Sequence, residues 1–407
     1  MIVCCSFSTT GHAQTPLQLG SVGSVTAAPP GSCDSSNGWY AYGSNSLNCY
    51  TATVSGCPNA DRWGLTFGYL NPAAIQPPLV SNALGTIVMF IGDGGVQSAL
   101  SGTTPFADAY FKAGYEIVEF AWNDDWEYTS DPIPPNTYGN ILNAACRPAT
   151  FLNYVYTTYF LGAINNQSNP NTGFCAHATS AGSAAVAYSL AYYGAGSWLD
   201  NVEMISGPVF SDIKQGCEEP APNPVTVCGL NGGMQLGCQL GGGGTWTLSP
   251  SYIGVNGQVG LWTGDRTCSN LWPVATSSAS NASWLGQSIV NQSTGGQGQP
   301  PVPTFSYPGT AMSAWLCRSV ASGFGQPNNS SPQGQIFYAQ AGATGPQQPY
   351  AIYAVDGCHY SEEVGDGNVP GYQPGIFNGH VNGLTAVPDD MIGIPPNIPA
   401  QCVRRSH

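Results

Sequence analysis

Short apolar runs closed by glycine recur along this chain, and alanine- and tyrosine-rich stretches of helical length lie between them. Thr86–Ile91 (TIVMFI) is uninterrupted and stops at Gly92-Asp-Gly-Gly95. A run of that length without alternation fits a strand buried on both faces of a parallel sheet. Tyr115–Trp122, Phe174–Thr179, Val202–Ser206, Gln258–Thr263, Gln335–Gln340 and Tyr350–Val355 are read as strands in the same way. Cys49–Val54 and Trp63–Tyr69 read as an earlier β pair around a Gly-Cys-Pro-Asn turn. Helices are expected at Ala107–Ala113, Pro148–Leu161 and Ser180–Tyr193, the last closed by Gly194. Strands alternating with helices predict an α/β fold with a mostly parallel central sheet and helices on both faces. Residues 14–48 read as irregular and 49–402 as one catalytic-sized domain. Two insertions are expected, a disulfide-pinned cap or loop at about 207–257 and a polar one with one or two short helices at about 268–334.

Composition adds a compartment. Charged residues make up 7% of 407, against about 25% in ordinary soluble domains, so any single acid in a charge-poor stretch stands out. The formal charge of -14 repels phosphate backbones, and no nucleic-acid partner is expected. No apolar run reaches the roughly 20 residues of a membrane span. Of fourteen cysteines, Cys4 and Cys5 lie at the start and twelve are spread from Cys33 to Cys402 without a Cys-x-x-Cys pair. An even, dispersed set reads as disulfides formed in an oxidising, secreted or periplasmic setting. No histidine lies at ligand spacing from a cysteine pair, so no metal is expected, and nothing in the sequence calls for a cofactor. Residues 1–13 end in Gly11-His12-Ala13, a small-x-small pattern expected of a truncated signal peptide, with a disordered tail as the alternative.

The chemistry centres on Ala178-Thr-Ser180-Ala-Gly182. A strand ending at a serine and running directly into a helix is a nucleophile-elbow arrangement, whose tight bend needs small residues two before and two after the serine. The helix start then directs its N–H groups and positive dipole end at the hydroxyl. Such a serine needs a base, and the base needs an acid to hold its tautomer. His359 follows the last expected strand after a glycine turn and is the preferred base; His380 is the alternative, and His177 is assigned to packing. Asp265 is the one acid between Ala221 and Val355 and sits just past the expected strand Gln258–Thr263. Asp212, after Val202–Ser206, is the fallback. Oxyanion donors are expected from the Ala181 N–H and from Asp93 or Gly94. Trp122, Trp126 and Tyr128 follow the strand before the elbow strand and are candidates to line an apolar or aromatic acyl site, with core packing as the competing role.

Together, the strand–Ser180–helix junction, the Gly92–Gly95 turn and the order Ser180, Asp265, His359 resemble the α/β-hydrolase fold family, over roughly residues 49–365. The resemblance implies an eight-stranded, mostly parallel sheet and a Ser-His-Asp acyl-transfer mechanism. Ala178 stands where the family's first elbow glycine is usual, and Asp265 follows its glycine directly where many relatives leave two residues between. The low-charge, cysteine-rich composition resembles secreted esterases, including those that act on polyesters or carbohydrate esters. The expected partner is therefore an ester substrate, polymeric or aromatic. A serine peptidase of the same fold and a catalytically silent secreted binding module are the rival readings.

Overall fold

A computed structural model describes residues 15–58, 60, 62–92, 95, 104–127, 141–163, 172–179, 181–205, 207–211, 213, 224–225, 246–247, 286–290, 302–319, 334, 337–338, 340–341, 347–356 and 402–404. Its centre is a nine-stranded sheet. In chain order the strands are β1 (Ser21–Ala27), β2 (Asn48–Ser55), β3 (Trp63–Leu70), β4 (Gly85–Phe90), β5 (Glu116–Trp122), β6 (Gly173–Thr179), β7 (Asn201–Ile205), β8 (Ala311–Ser319) and β9 (Gln347–Asp356). Across the sheet they run β1-β2-β3-β5-β4-β6-β7-β8-β9. The first three neighbour pairs are antiparallel. From β5 to β9 every pairing is parallel.

Three helices cover the faces: α1 (Thr104–Lys112), α2 (Cys146–Val155) and α3 (Ala181–Tyr193). The alternation of side chains along each strand sorts the core into two layers. Val88, Phe90, Val118, Phe120, Phe174, Ala176 and Ala178 face α2 and α3. Ile87, Met89, Ile117, Ala121 and Cys175 face α1 and the segment containing Cys33, Trp39, Tyr40 and Leu47. Helix α3 is buried on all sides, as its nearly continuous alanine and tyrosine content requires. Its tyrosines discharge their hydroxyls onto backbone carbonyls: Tyr188 donates to Gln287 at 2.6 Å and Tyr192 to Ser288 at 2.7 Å.

Three of the sequence expectations change. Residues 14–48 are not wholly irregular, because β1 adds an edge strand, making nine where eight were expected. That edge strand is mostly exposed, so it carries no apolar alternation to reveal it. Ala311–Ser319 lies within the stretch expected to hold only short helices, yet it is a full strand between β7 and β9. It contains no Val, Ile or Thr, which removes the usual strand signal. Conversely, the described residues at 334–341 are helical, not the strand expected at Gln335–Gln340. Phe337, Tyr338 and Ala341 are buried there at spacings of one and three, a helical face that a short apolar run does not distinguish from a strand. The expected strand Gln258–Thr263 and the four-glycine tract of the cap lie outside the described residues.

Disulfides join elements that the sheet itself does not. Cys33–Cys49 ties the N-terminal segment to β2, Cys57–Cys146 ties the β2–β3 turn to the start of α2, and Cys175–Cys402 fastens the C-terminal segment across β6. Their sequence separations are 16, 89 and 227 residues. The longer two constrain the unfolded chain most.

The N-terminal segment also meets a buried carboxylate. Glu119 on β5 is 1% exposed. One of its oxygens accepts the Tyr40 backbone N–H at 2.8 Å, while the other has no hydrogen-bond partner. Burial pushes its pKa well up, against the opposing pull of the Tyr40 N–H. A raised folded-state pKa means stability is fully present below the unfolded carboxylate range, about pH 4.3, and is lost as pH rises through the folded value. Glu119→Gln keeps an acceptor for Tyr40 and removes the titration. Denaturant titrations across pH should therefore show wild-type stability falling upward from that range, and the variant losing much less. Separately, Cys57→Ala with Cys146→Ala should cost roughly 2–5 kcal/mol of unfolding free energy, read from the denaturation midpoint.

Candidate active site

The sequence of crossovers places one crevice. Parallel strands β4 and β6 are neighbours, with Phe90 opposite Ala178 at their carboxyl ends. The chain leaving β4 goes to α1 on one face, and the chain leaving β6 goes to α3 on the other. Where successive connections depart to opposite faces, the strand ends leave a gap, and that is where open α/β sheets place ligands. The Gly92–Gly95 turn opens immediately after β4. Ser180 is the single residue between Thr179 of β6 and Ala181 of α3. Ser180 itself lies outside the described residues, but both of its flanks are described.

Those flanks are packed without slack. A Cβ at Gly182 would fall 2.7 Å from the carbonyl oxygens of both Phe90 and Ile91. These are backbone atoms at the end of a central strand, so they cannot swing aside. The first turn of α3 therefore abuts the end of β4, which is possible only with glycine at that position. Ala178 is fully buried on the other side of the bend. The Ser183 hydroxyl donates to the Ala178 carbonyl at 2.9 Å, joining the last residues of the strand to the first turn of the helix. Ala181 opens α3, so its N–H is one of the first-turn donors that have no acceptor within the helix.

Across the crevice, Gly95 has φ +69°, and its backbone N–H donates to Gly92 at 3.0 Å. A Cβ there would lie 2.9 Å from Cδ1 of Trp122 and 3.6 Å from Cδ1 of Trp126. Both indoles are buried, at 2% and 1% exposure, and so stand behind the turn in the core. Asp93 and Gly94, between the two described glycines, lie outside the described residues, as does Tyr128. His359 comes three residues after β9 ends at Asp356 and is likewise outside them. So are Asp265, Asp212 and His380. The strand between β7 and β9 is β8, so the segment carrying Asp265 belongs to the β7–β8 connection. Asp212 follows β7 more closely in the same connection.

One polar cluster was not foreseen beyond the assignment of His177 to packing. His177 on β6 stands opposite Glu203 on β7, and its Nδ1 lies 3.0 Å from Glu203 Oε2. The Tyr110 hydroxyl of α1 donates to the same carboxylate oxygen and lies 3.0 Å from His177 Nδ1. Burial, then the Glu203 charge, holds the Tyr110 pKa well above its ordinary value, so the hydroxyl stays protonated as donor. The group pins α1 to the two strands whose ends lead to Ser180 and to Asp212. Its members are 67 and 26 residues from His177 in sequence, which is why no local pattern betrays it. Among the described residues, no group of three His, Cys, Asp or Glu is arranged to hold a metal ion, and no helix is long and apolar enough to cross a membrane.

This strand order, its crossovers and the strand–Ser180–helix junction are those of the α/β-hydrolase fold. Solved structures with a similar chain path include esterases. Carboxyl esterase 2 of the mycorrhizal fungus Tuber melanosporum is 12% identical, with 82% of this chain and 85% of that one covered and a TM-score of 0.40. A hyperthermophilic esterase from the archaeon Pyrobaculum calidifontis is 11% identical, with 78% and 79% covered and a TM-score of 0.43. A carboxylesterase of Lactobacillus plantarum is 12% identical, with 76% and 83% covered and a TM-score of 0.36. No protein-family model matches the chain, and no curated protein matches it in sequence. The fold assignment rests on the strand order and crossovers, not on these likenesses.

The Gly182 contact can be tested directly. In an ordinary helix Gly→Ala gains about 1 kcal/mol. Here the added methyl meets immovable carbonyls, and overpacking of that kind costs about 1–3 kcal/mol. Gly182→Ala should therefore lower the denaturation midpoint; a rise would show that the helix start is not seated against β4.

Proposed function

We propose that this protein is an extracellular serine hydrolase that cleaves carboxylic esters through an acyl-enzyme intermediate. The observation that carries this reading is the seating of Gly182 against the Phe90 and Ile91 carbonyls, which brings the residue after Ser180 beside the start of the glycine turn. This contact supports a mechanism in which a nucleophile at Ser180 works beside backbone donors from two different elements. The three disulfides among the described residues support an oxidising, extracellular or periplasmic location.

In this mechanism Ser180 Oγ attacks the ester carbonyl carbon while His359 removes its proton. Negative charge on the former carbonyl oxygen is met by the Ala181 N–H and by a donor from Asp93 or Gly94. The carbon–oxygen bond to the alcohol breaks as His359 returns the proton to the leaving oxygen. Water, deprotonated by the same imidazole, then attacks the acyl carbonyl, and the carboxylic acid departs as Ser180 regains its proton. Asp265 holds the imidazole tautomer in this proposal. Asp212 is the competing acid, because it follows β7, a strand that does border the elbow strand.

Treating wild type and Ser180→Ala with a fluorophosphonate probe separates this reading from a silent binding module, and comparing ester with peptide substrates separates it from a serine peptidase. Labelling of wild type, absent in the variant, together with p-nitrophenyl ester hydrolysis, is the expected result. Activity of Ser180→Ala and of His359→Ala should fall by roughly 10³-fold or more. A wild-type protein that neither labels nor turns over esters would leave a silent binding module. Of Asp265→Asn and Asp212→Asn, the first should lose the larger factor in kcat; the reverse order moves the acid to Asp212.

A further inference from the structure

Behind the glycine turn, Trp122 and Trp126 are held more firmly than core packing alone requires. The loop after β5 is pinned at successive residues. Asn123 N–H donates to Gly64 O at 2.9 Å, and Trp63 Nε1 donates to Asp124 O at 2.9 Å. The Glu127 N–H donates to Asp125 Oδ1 at 2.9 Å, and Arg147 Nη1 donates to Trp126 O at 3.0 Å. Arg147 is itself fully buried and lies over the Trp63 ring, 4.1 Å from its centroid. Its neighbour Cys146 is joined to Cys57. The result is a rigid backing that presents two indoles to Gly95 and to no exposed surface.

Gly95 is the one described residue of the turn on its far side, and it is fitted to that backing twice over. Its φ of +69° disfavours any side chain, and a Cβ would strike Trp122 Cδ1 at 2.9 Å. Among the described residues the buried Trp126 Nε1–H has no hydrogen-bond partner, a cost an ordinary core position would shed by carrying phenylalanine. Two large flat rings against a residue with no side chain determine how near the turn lies to the sheet. On the proposed mechanism the donor expected from Asp93 or Gly94 lies between Gly92 and Gly95 in sequence, so where Gly95 is held limits where that donor can be.

We propose that Trp126, with Trp122, is a positioning residue that sets the orientation of the oxyanion-binding turn through Gly95, in place of the acyl-site role expected from the sequence. The inference rests on the ester-hydrolase reading. Donors that must lie within a few tenths of an ångström of a developing charge depend on rigid support from behind. Loosening that support weakens binding of the transition state and leaves binding of the substrate nearly untouched.

The experiment compares wild type, Trp126→Phe and Gly95→Ala on p-nitrophenyl esters of increasing acyl length, with phenylboronic acid as a tetrahedral-adduct probe. Expected in both variants is a fall in kcat of about tenfold or more, with KM changed by less than about threefold at every acyl length. The boronate affinity should fall in step with kcat, which general loss of structure would not produce without raising KM. Retained kcat in both variants overturns the inference, and so does a KM that rises with acyl length, which would return the indoles to the acyl site. If far-UV circular dichroism shows that Trp126→Phe is poorly folded, Gly95→Ala, a change of one methyl group, decides the matter. Wild type that neither labels with the fluorophosphonate nor hydrolyses esters overturns the enzyme reading and this inference together. Active wild type with unchanged variants overturns this inference alone.

Discussion

A helix can start in direct contact with the end of a neighbouring strand only if nothing stands between the two backbones. In this protein that contact is made by Gly182 against the Phe90 and Ile91 carbonyls, and most of the site depends on it. It brings the start of α3 beside the end of β4, so the loop leaving one strand and the helix leaving the next face the same gap. A methyl group at that position would push the helix outward and carry the Ala181 N–H with it. The small residues around Ser180 are thus a geometric requirement of the sheet.

The rest of the molecule holds that contact in place by unusual means for so uncharged a chain. Several of its few ionisable groups are buried within the sheet and hydrogen-bonded across elements. Glu116 accepts from Thr86 at 2.6 Å, from Tyr69 at 2.6 Å and from Asn71 at 2.8 Å, joining β3, β4 and β5. The Thr86 and Tyr69 hydroxyls oppose the rise in its pKa that burial causes. The Tyr110, His177 and Glu203 cluster ties α1 to β6 and β7, and Arg147 locks α2 to the loop after β5. Groups of this kind specify which neighbours a strand or helix takes, since a shifted register would leave them buried and unmet. Disulfides then secure the segments that the sheet does not hold.

Much of this architecture was readable from local pattern. The strands at Cys49–Val54, Trp63–Tyr69, Thr86–Ile91, Tyr115–Trp122 and Phe174–Thr179 all appear within a residue or two of their expected ends. The three expected helices also form, although the first starts three residues early, at Thr104, and a π-helical turn, Tyr156–Phe160, ends the one beginning at Cys146. Burial on both faces makes such strands continuous in apolar character, and a short bend between small residues leaves its own mark. The elbow around Ser180 belongs to this class. The readings failed where the local signal is weak by physical necessity. An exposed edge strand has no buried face to record, and a strand such as Ala311–Ser319, without Val, Ile or Thr, lacks the β-branched residues that mark strands. At Phe337–Ala341, a short apolar run serves a helix as readily as a strand.

By itself, then, the order of residues determined the fold class and the strand-to-helix junction after Thr179, and its dispersed cysteines announced disulfides, because each is a property of neighbouring residues or of composition. Tertiary structure alone decided which strand stands beside β7, how the cysteines pair among the described residues, and that Trp122 and Trp126 face the glycine turn from inside the core. It also decided the meeting of Tyr110, His177 and Glu203. These are relations between residues tens to hundreds of positions apart, and only the packing of the sheet against its helices brings them into contact.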